Sequence, residues 1–196
     1  MYDWCTIQGP RLLLRPFVAE DVRALTEVQQ FNRDVFMSVM PERGEQFYTL
    51  AAQSLAIDGD RRQWESDRGY AFAVTWKTSL IGRVALSNVV RGAWQNATLG
   101  YWIDSRFQGR GFATESVQAV TSAAFGHFAL HRIQAAILPH NLPSLGVIVK
   151  SGFYEEGLAP FYLNIAGQWQ DHRVFSLTVE QYRRTPGFVL QAETDI

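Results

Sequence analysis

Cys5 is the only cysteine in 196 residues, which excludes an intrachain disulfide and leaves no second thiol for a zinc site. No metal is expected, and the compartment implied is a reducing cytoplasm. An excess of charge is also missing. Lys plus Arg total 18 against 19 Asp plus Glu, a formal net charge of -1, so no global field draws in nucleic acid or an anionic membrane. Any polyanionic ligand must be met by local donors. No apolar run reaches about 18 residues, and the opening residues lack the zones of a secretory signal, so a soluble, cytosolic protein is expected. What the chain has is core material: 47% apolar residues and 13% aromatic, including 6 Trp. Its length suits one domain, expected over residues 1–180, with 181–196 a C-terminal tail lacking any hydrophobic period.

Periodicity sketches the elements. Residues 11–16 read as a strand closed by Pro16, and Val18, Val22, Leu25 and Val28 recur at helical spacing. Residues 32–44 are irregular, a loop or loop with short helix, carrying Phe36 and Met40 outside any period. Phe47, Leu50, Ala51, Leu55 and Ile57 mark a second helix, expected to end at the polar stretch 58–69. Tyr70–Trp76 and Leu80–Val90 form a β-hairpin around Lys77-Thr78-Ser79, and Ala97–Ile103 is a further strand. A helix follows Gly111, and Ile133–Leu138 reads as a short buried strand. Asn141 with Pro143 begins a helix that ends at Gly152, and strands near 153–165 and 168–179 flank Ala166-Gly167.

The sharpest local feature is Arg106-Phe107-Gln108-Gly109-Arg110-Gly111-Phe112-Ala113-Thr114, set between a strand and a helix. Two glycines allow a tight turn and close approach of a ligand, and the helix start offers unpaired N–H groups and partial positive charge. That combination suits a pyrophosphate, although such a turn can equally bind nothing. Phe112-Ala113 stands where a Walker loop needs Lys and Ser or Thr, and no acid lies between Arg132 and Asn141 where a dinucleotide fold needs one.

Arg106-x-x-Gly109-x-Gly111 resembles the acyl-CoA pyrophosphate loop of the GCN5-related N-acetyltransferases, the GNAT family. Asn141-x-x-Ser144 and Lys150-x-Gly152-Phe153 resemble the signature of its ribosomal-protein-alanine branch, closest to the RimJ type, as do residues 87–92, 139–141 and 167–172. The resemblance implies an α/β fold, with a mixed sheet of about seven strands flanked by helices. Its fourth and fifth strands, here Ala97–Ile103 and Ile133–Leu138, would splay around acetyl-CoA. Backbone groups of Tyr101, Trp102 and Ile103 would meet the pantetheine arm, and Gln108, Gly109, Arg110, Gly111, Phe112, Ala113 and Thr114 the pyrophosphate. Asn141 would add a side-chain hydrogen bond beside its role as a helix cap, Lys150 would touch a phosphate, and Ser144 would protonate the leaving thiolate. As plain structure, Tyr101 and Trp102 are core aromatics, Ser144 a solvated helical serine and Lys150 a surface lysine.

The branch's acceptor is a protein N-terminal amine, such as the N-terminal alanine of a ribosomal protein. The alternatives are a small-molecule amine and a catalytically silent acyl-CoA-binding protein, and the chain would act as monomer or homodimer. Phe36 and Met40, with Asn88 and Tyr162, are expected to line the acceptor groove. The general base is the thin point. The strand Ala97–Trp102 carries no glutamate, Pro160–Asn164 has none, and Glu155 and Glu156 lie earlier. His140 is the first candidate and Asp171 the second.

Overall fold

A computed structural model describes residues 3–183 and 186–192. Among these residues nine strands form one sheet: β1 (Cys5–Gln8), β2 (Leu12–Pro16), β3 (Tyr70–Trp76), β4 (Ser79–Val90), β5 (Asn96–Ile103), β6 (Arg132–Ile137), β7 (Tyr154–Ile165), β8 (Gln168–Thr178) and β9 (Val189–Ala192). Their order is β7-β8-β6-β5-β4-β3-β2-β1-β9, and only β5 and β6 pair in parallel. The helices are α1 (Asp21–Phe31), α2 (Arg33–Met37), α3 (Leu50–Glu65), α4 (Phe112–Gly126) and α5 (Leu142–Lys150).

The expected seven strands are therefore nine. β1 and β9 are only four residues each, too short to show alternation, and they pair with one another from opposite ends of the described chain. Val189–Ala192, expected within a tail, thus completes the sheet edge beside β1. The second correction concerns α3, which runs on through the polar stretch to Glu65. Its buried Ile57 and Trp64 lie seven residues apart, two helical turns, so one apolar stripe persists while Asp58, Arg61 and Arg62 face outward. Trp64 stacks on Trp4 and meets Tyr70, Phe72 and Phe128 edge-on.

Alternation along β3 assigns the two faces. Phe72 and Val74 enter the larger core under α4 and α5, whereas Ala73 enters a smaller one with Phe17, Leu25, Ile57 and Leu80 under α1 and α3. Burying each large apolar side chain contributes about 1.5–3 kcal/mol, and Phe72, Phe128, Phe175 and Ile133 are almost wholly enclosed.

One buried carboxylate ties the smaller side to the exit of β5. Asp104 is fully enclosed and accepts from Asn32 Nδ2 at 3.2 Å, Arg106 N at 3.1 Å and Arg106 Nε at 2.9 Å. Asn32 Oδ1 in turn accepts from Ser105 N at 2.8 Å, so the junction of α1 and α2 is fixed to the turn after β5. Arg106, held by this carboxylate, lies over the Phe31 ring at 4.4 Å. Burial opposes the charged form of Asp104, but the donors on Arg106 and Asn32 prevail and hold the carboxyl below the usual carboxylate range. A depressed carboxyl stabilises the fold above its unfolded value, about pH 4, and that contribution disappears as pH falls through the folded value. Urea midpoints measured from pH 7 to pH 3 should therefore fall less steeply with acid in Asp104→Asn than in the wild type, from a lower starting point at pH 7. Parallel curves would contradict the assignment.

Candidate active site

The site begins where strand pairing stops. β5 and β6 share only Asn96↔Arg132, Ala97↔Ile133 and Thr98↔Gln134, yet β5 continues to Ile103 and β6 to Ile137. Beyond Thr98, β5 stays paired with β4 alone, through Leu86↔Leu99 to Gly82↔Ile103. The edge of residues 99–103 that faces β6 has no strand partner among the described residues, which leaves backbone groups to meet an extended ligand.

Two cavities open on this splay. The larger, about 870 Å³, is lined by Tyr101, Trp102, Ile103, Gln108, Gly109, Gly111, Phe112, Ala113, Thr114 and Lys150, among others. The second, about 590 Å³, reaches toward α1 and α3 and is lined by Gln29, Phe47, Tyr48, Asp60, Arg83 and His172, among others. Phe36, Met40, Tyr101, Trp102, Asn141 and Ser144 line both. A ligand entering from each side would meet at this shared wall.

The larger cavity has the features of a phosphate cradle. Gly109 and Gly111 take φ of +74° and +78°, values open to glycine and strained for other residues. No described side chain caps α4, so the N–H groups at its start remain open to a ligand. Glu115, one turn in, accepts from Arg11 N, Leu12 N and Arg11 Nε and anchors the helix start to β2. Of the expected loop residues only Arg110 lies outside the lining; its guanidinium is turned over the Phe107 ring and its carbonyl accepts from Arg11 Nη1. Gln108 Nε2 donates to the Ile103 carbonyl and closes the turn. These residues fit the diphosphate of a CoA thioester, with Asn141 and the free edge of β5 suited to its amide arm.

α5 begins at the mouth of the splay because Asn141 caps it. Asn141 Oδ1 accepts from Ser144 N at 3.2 Å, which leaves its Nδ2 to donate elsewhere. Ser144 Oγ lies 2.6 Å from the Tyr101 hydroxyl, and that hydroxyl also lies 3.1 Å from the Ser144 carbonyl. Only donation satisfies a carbonyl, so the bonds fit together when Tyr101 donates to it and Ser144 donates to Tyr101. Burial pushes the Tyr101 phenol up to about 12, against the pull of the Ser144 hydrogen bond, so it keeps its proton at neutral pH. The sequence pointed to the backbone of Tyr101; its hydroxyl is an addition legible only once β5 and α5 are brought together.

The remaining expected residues scatter. Asn88 sits near the end of β4, at φ +51° in the irregularity where pairing with β5 shifts, on the closed side of the splay, and it lines neither cavity. His140 is exposed and lines the larger cavity only. Asp171 lines neither: its Oδ1 accepts from Phe161 N at 2.9 Å and pins the bulge of β7. That bulge sets the Tyr162 ring against His172, with centroids 5.5 Å apart. Glu155 pairs with Arg173, and Glu156 with Arg132 and Ser176. Asp60, the one carboxylate among the described residues lining the second cavity, is held by Arg83 Nη2 at 2.7 Å.

The sequence profile of the Acetyltransferase (GNAT) domain matches residues 11–154. The chain belongs to the GNAT family. It is an acetyl-CoA-dependent N-acetyltransferase of the RimJ type. The Bacillus subtilis protein named Probable N-acetyltransferase YjcK is 35% identical over 173 residues, 87% of this chain and 96% of that one. The Escherichia coli [ribosomal protein uS5]-alanine N-acetyltransferase is 40% identical over 108 residues, 55% of either chain. Among solved structures, Mycobacterium smegmatis RimJ in complex with CoA-disulfide superposes with a TM-score of 0.85 at 28% identity, covering 90% of this chain and 87% of that one.

Two predictions rest on this geometry. Gly111→Val places a β-branched residue at a positive φ in the lining of the larger cavity, with its Cβ 3.4 Å from Arg11 Nη2. Calorimetry should detect no CoA binding to the folded variant; unchanged affinity would remove the phosphate-loop assignment. Ser144→Ala and Tyr101→Phe should lower kcat with little change in acetyl-CoA affinity, Ser144→Ala by on the order of 10²-fold or more if it delivers the proton. Turnover within twofold of wild type for Ser144→Ala would reduce it to a helix-cap residue.

Proposed function

We propose that the enzyme moves an acetyl group from acetyl-CoA to a protein N-terminal α-amine, with the N-terminal alanine of a ribosomal protein as the favoured acceptor. The observation that carries this reading is the state of Asp60, the carboxylate lining the second cavity, which we take as the acceptor cavity, and of the two carboxylates on β7 that line neither cavity. Asp60 is engaged by Arg83, and Glu155 and Glu156 are engaged by Arg173 and Arg132, so none is free to deprotonate a strongly basic amine. An α-amine has a reference pKa of about 7.7–8.0 and a lysine about 10.4. At roughly 1.36 kcal/mol per unit, reaching the neutral amine at pH 7 costs about 1 kcal/mol for the first and about 4.6 for the second. A site without a free carboxylate therefore favours α-amines. The named activity of the E. coli relative supports the same class of acceptor.

When bound, acetyl-CoA supplies an activated acyl group and a thiolate leaving group. The open edge of β5 and Asn141 would hold its amide arm, the start of α4 its phosphates, and the hydroxyl pair of Ser144 and Tyr101 stands ready to deliver a proton at the shared wall. Phe36, Met40 and Trp102 would exclude water there; Phe36 and Trp102 pack ring to ring at 5.3 Å. We place the enzyme in the cytoplasm, where nascent and ribosomal N-termini are available.

The test is a peptide that begins with alanine and carries an internal lysine. Mass spectrometry at pH 7 should find the acetyl group on the N-terminus. Preferential lysine acetylation would refute the reading, and turnover of small-molecule amines with no peptide product would move the acceptor to that class.

A further inference from the structure

His172 is buried to 3% exposure yet lines the acceptor cavity together with Tyr101 and Ser144. Its Nδ1 lies 3.0 Å from the Gln170 carbonyl. A carbonyl only accepts, so Nδ1 carries a hydrogen, and in the neutral ring Nε2 bears the lone pair. No described residue bonds Nε2. The ring is fixed on one side by that carbonyl and on another by Tyr162, itself placed by the β7 bulge that Asp171 pins. β8 pairs Val174 with Ala136 and Arg173 with Ile137, so His172 lies one step past the end of β6, beside the opening of the splay.

From this arrangement we infer that His172 is the general base of the reaction, taking the proton from the acceptor's ammonium group. Its Nε2 accepts one proton from R-NH3+, and the freed lone pair forms the C–N bond to the acetyl carbon as the C–S bond breaks. The departing sulfur keeps the C–S pair and takes a proton from the Ser144–Tyr101 hydroxyls. Those hydroxyls recover one from the acylated nitrogen, and the imidazolium returns its own to water. One proton is released per acetyl group transferred. Other ionisable groups on the cavity wall are Asp60 and Arg83, paired with each other, and Arg43, Tyr48 and Tyr101. Tyr162 faces the ring from β7, while Asp171 and Arg173, its neighbours on β8, are engaged with Phe161 N and Glu155.

The role rests on the proposed amine acceptor, and the experiment separates the two. In the wild type without ligand, long-range ¹H–¹⁵N NMR should show His172 as the Nδ1–H tautomer; the Nε2–H tautomer overturns the inference whether or not any variant folds. His172→Gln and His172→Asn should keep acetyl-CoA affinity within about twofold by calorimetry. Their kcat on the alanine-initiated peptide should fall by on the order of 10² to 10⁴, and the pH-rate profile should lose one ionisation. Turnover within twofold of wild type, or an unchanged profile, overturns the assignment. Failure of the wild type on the peptide with turnover of a small amine removes the acceptor reading alone, and the variants are then compared on that amine with the same two outcomes.

Discussion

Everything in the site follows from an interruption of hydrogen bonding between β5 and β6. Three paired positions hold the parallel strands together, and past Thr98 and Gln134 they part. A protein normally pairs nearly all its buried backbone donors and acceptors, so such a gap persists only where a ligand or water can complete it. The surrounding contacts keep it open. β4 holds β5 on its other side, β8 holds β6 from Arg132 to Ile137, and α5 starts at the mouth under the Asn141 cap.

Around that gap, division of labour follows element type. Backbone geometry at Gly109 and Gly111 and the uncapped start of α4 suit phosphates, a way for a chain with a net charge of -1 to meet a polyanion. Arg106 contributes to architecture: bound to Asp104 and stacked over Phe31, it secures the α1–α2 junction. Side-chain chemistry gathers instead at the shared wall, where a strand and a capped helix bring two hydroxyls together, with a buried histidine lining the second cavity.

Signals carried by neighbouring residues were legible in the sequence. The glycine turn, the Asn141 cap with Pro143 and the hairpins depend on spacing within a few residues, whereas the splay of β5 and β6 was expected only from the family resemblance. What escaped depends on contacts across the chain. β1 and β9 become strands by pairing with each other, and the second half of α3 is held by Trp64 against Trp4, Tyr70 and Phe128. His172 belongs to the same class. It stands in the run 167–172, where its neighbour Asp171 was a candidate general base, and only the fold shows one side chain pinning a bulge and the other lining a cavity. The available signal was alternation along β8, which sends adjacent residues to opposite faces.

The wall common to both cavities has a thermodynamic consequence. Phe36, Met40, Tyr101, Trp102, Asn141 and Ser144 touch whatever occupies either side, so filling one cavity changes the surface offered to the other. Any factor by which the acyl donor alters affinity for the amine must reappear, unchanged, as the factor by which the amine alters affinity for the donor. With Cys5 buried in the core, far along the sheet from the splay, no described thiol is placed to store the acyl group between visits. Where donor and acceptor occupy the two sides together, reciprocal coupling at the shared wall can make each tighten the other.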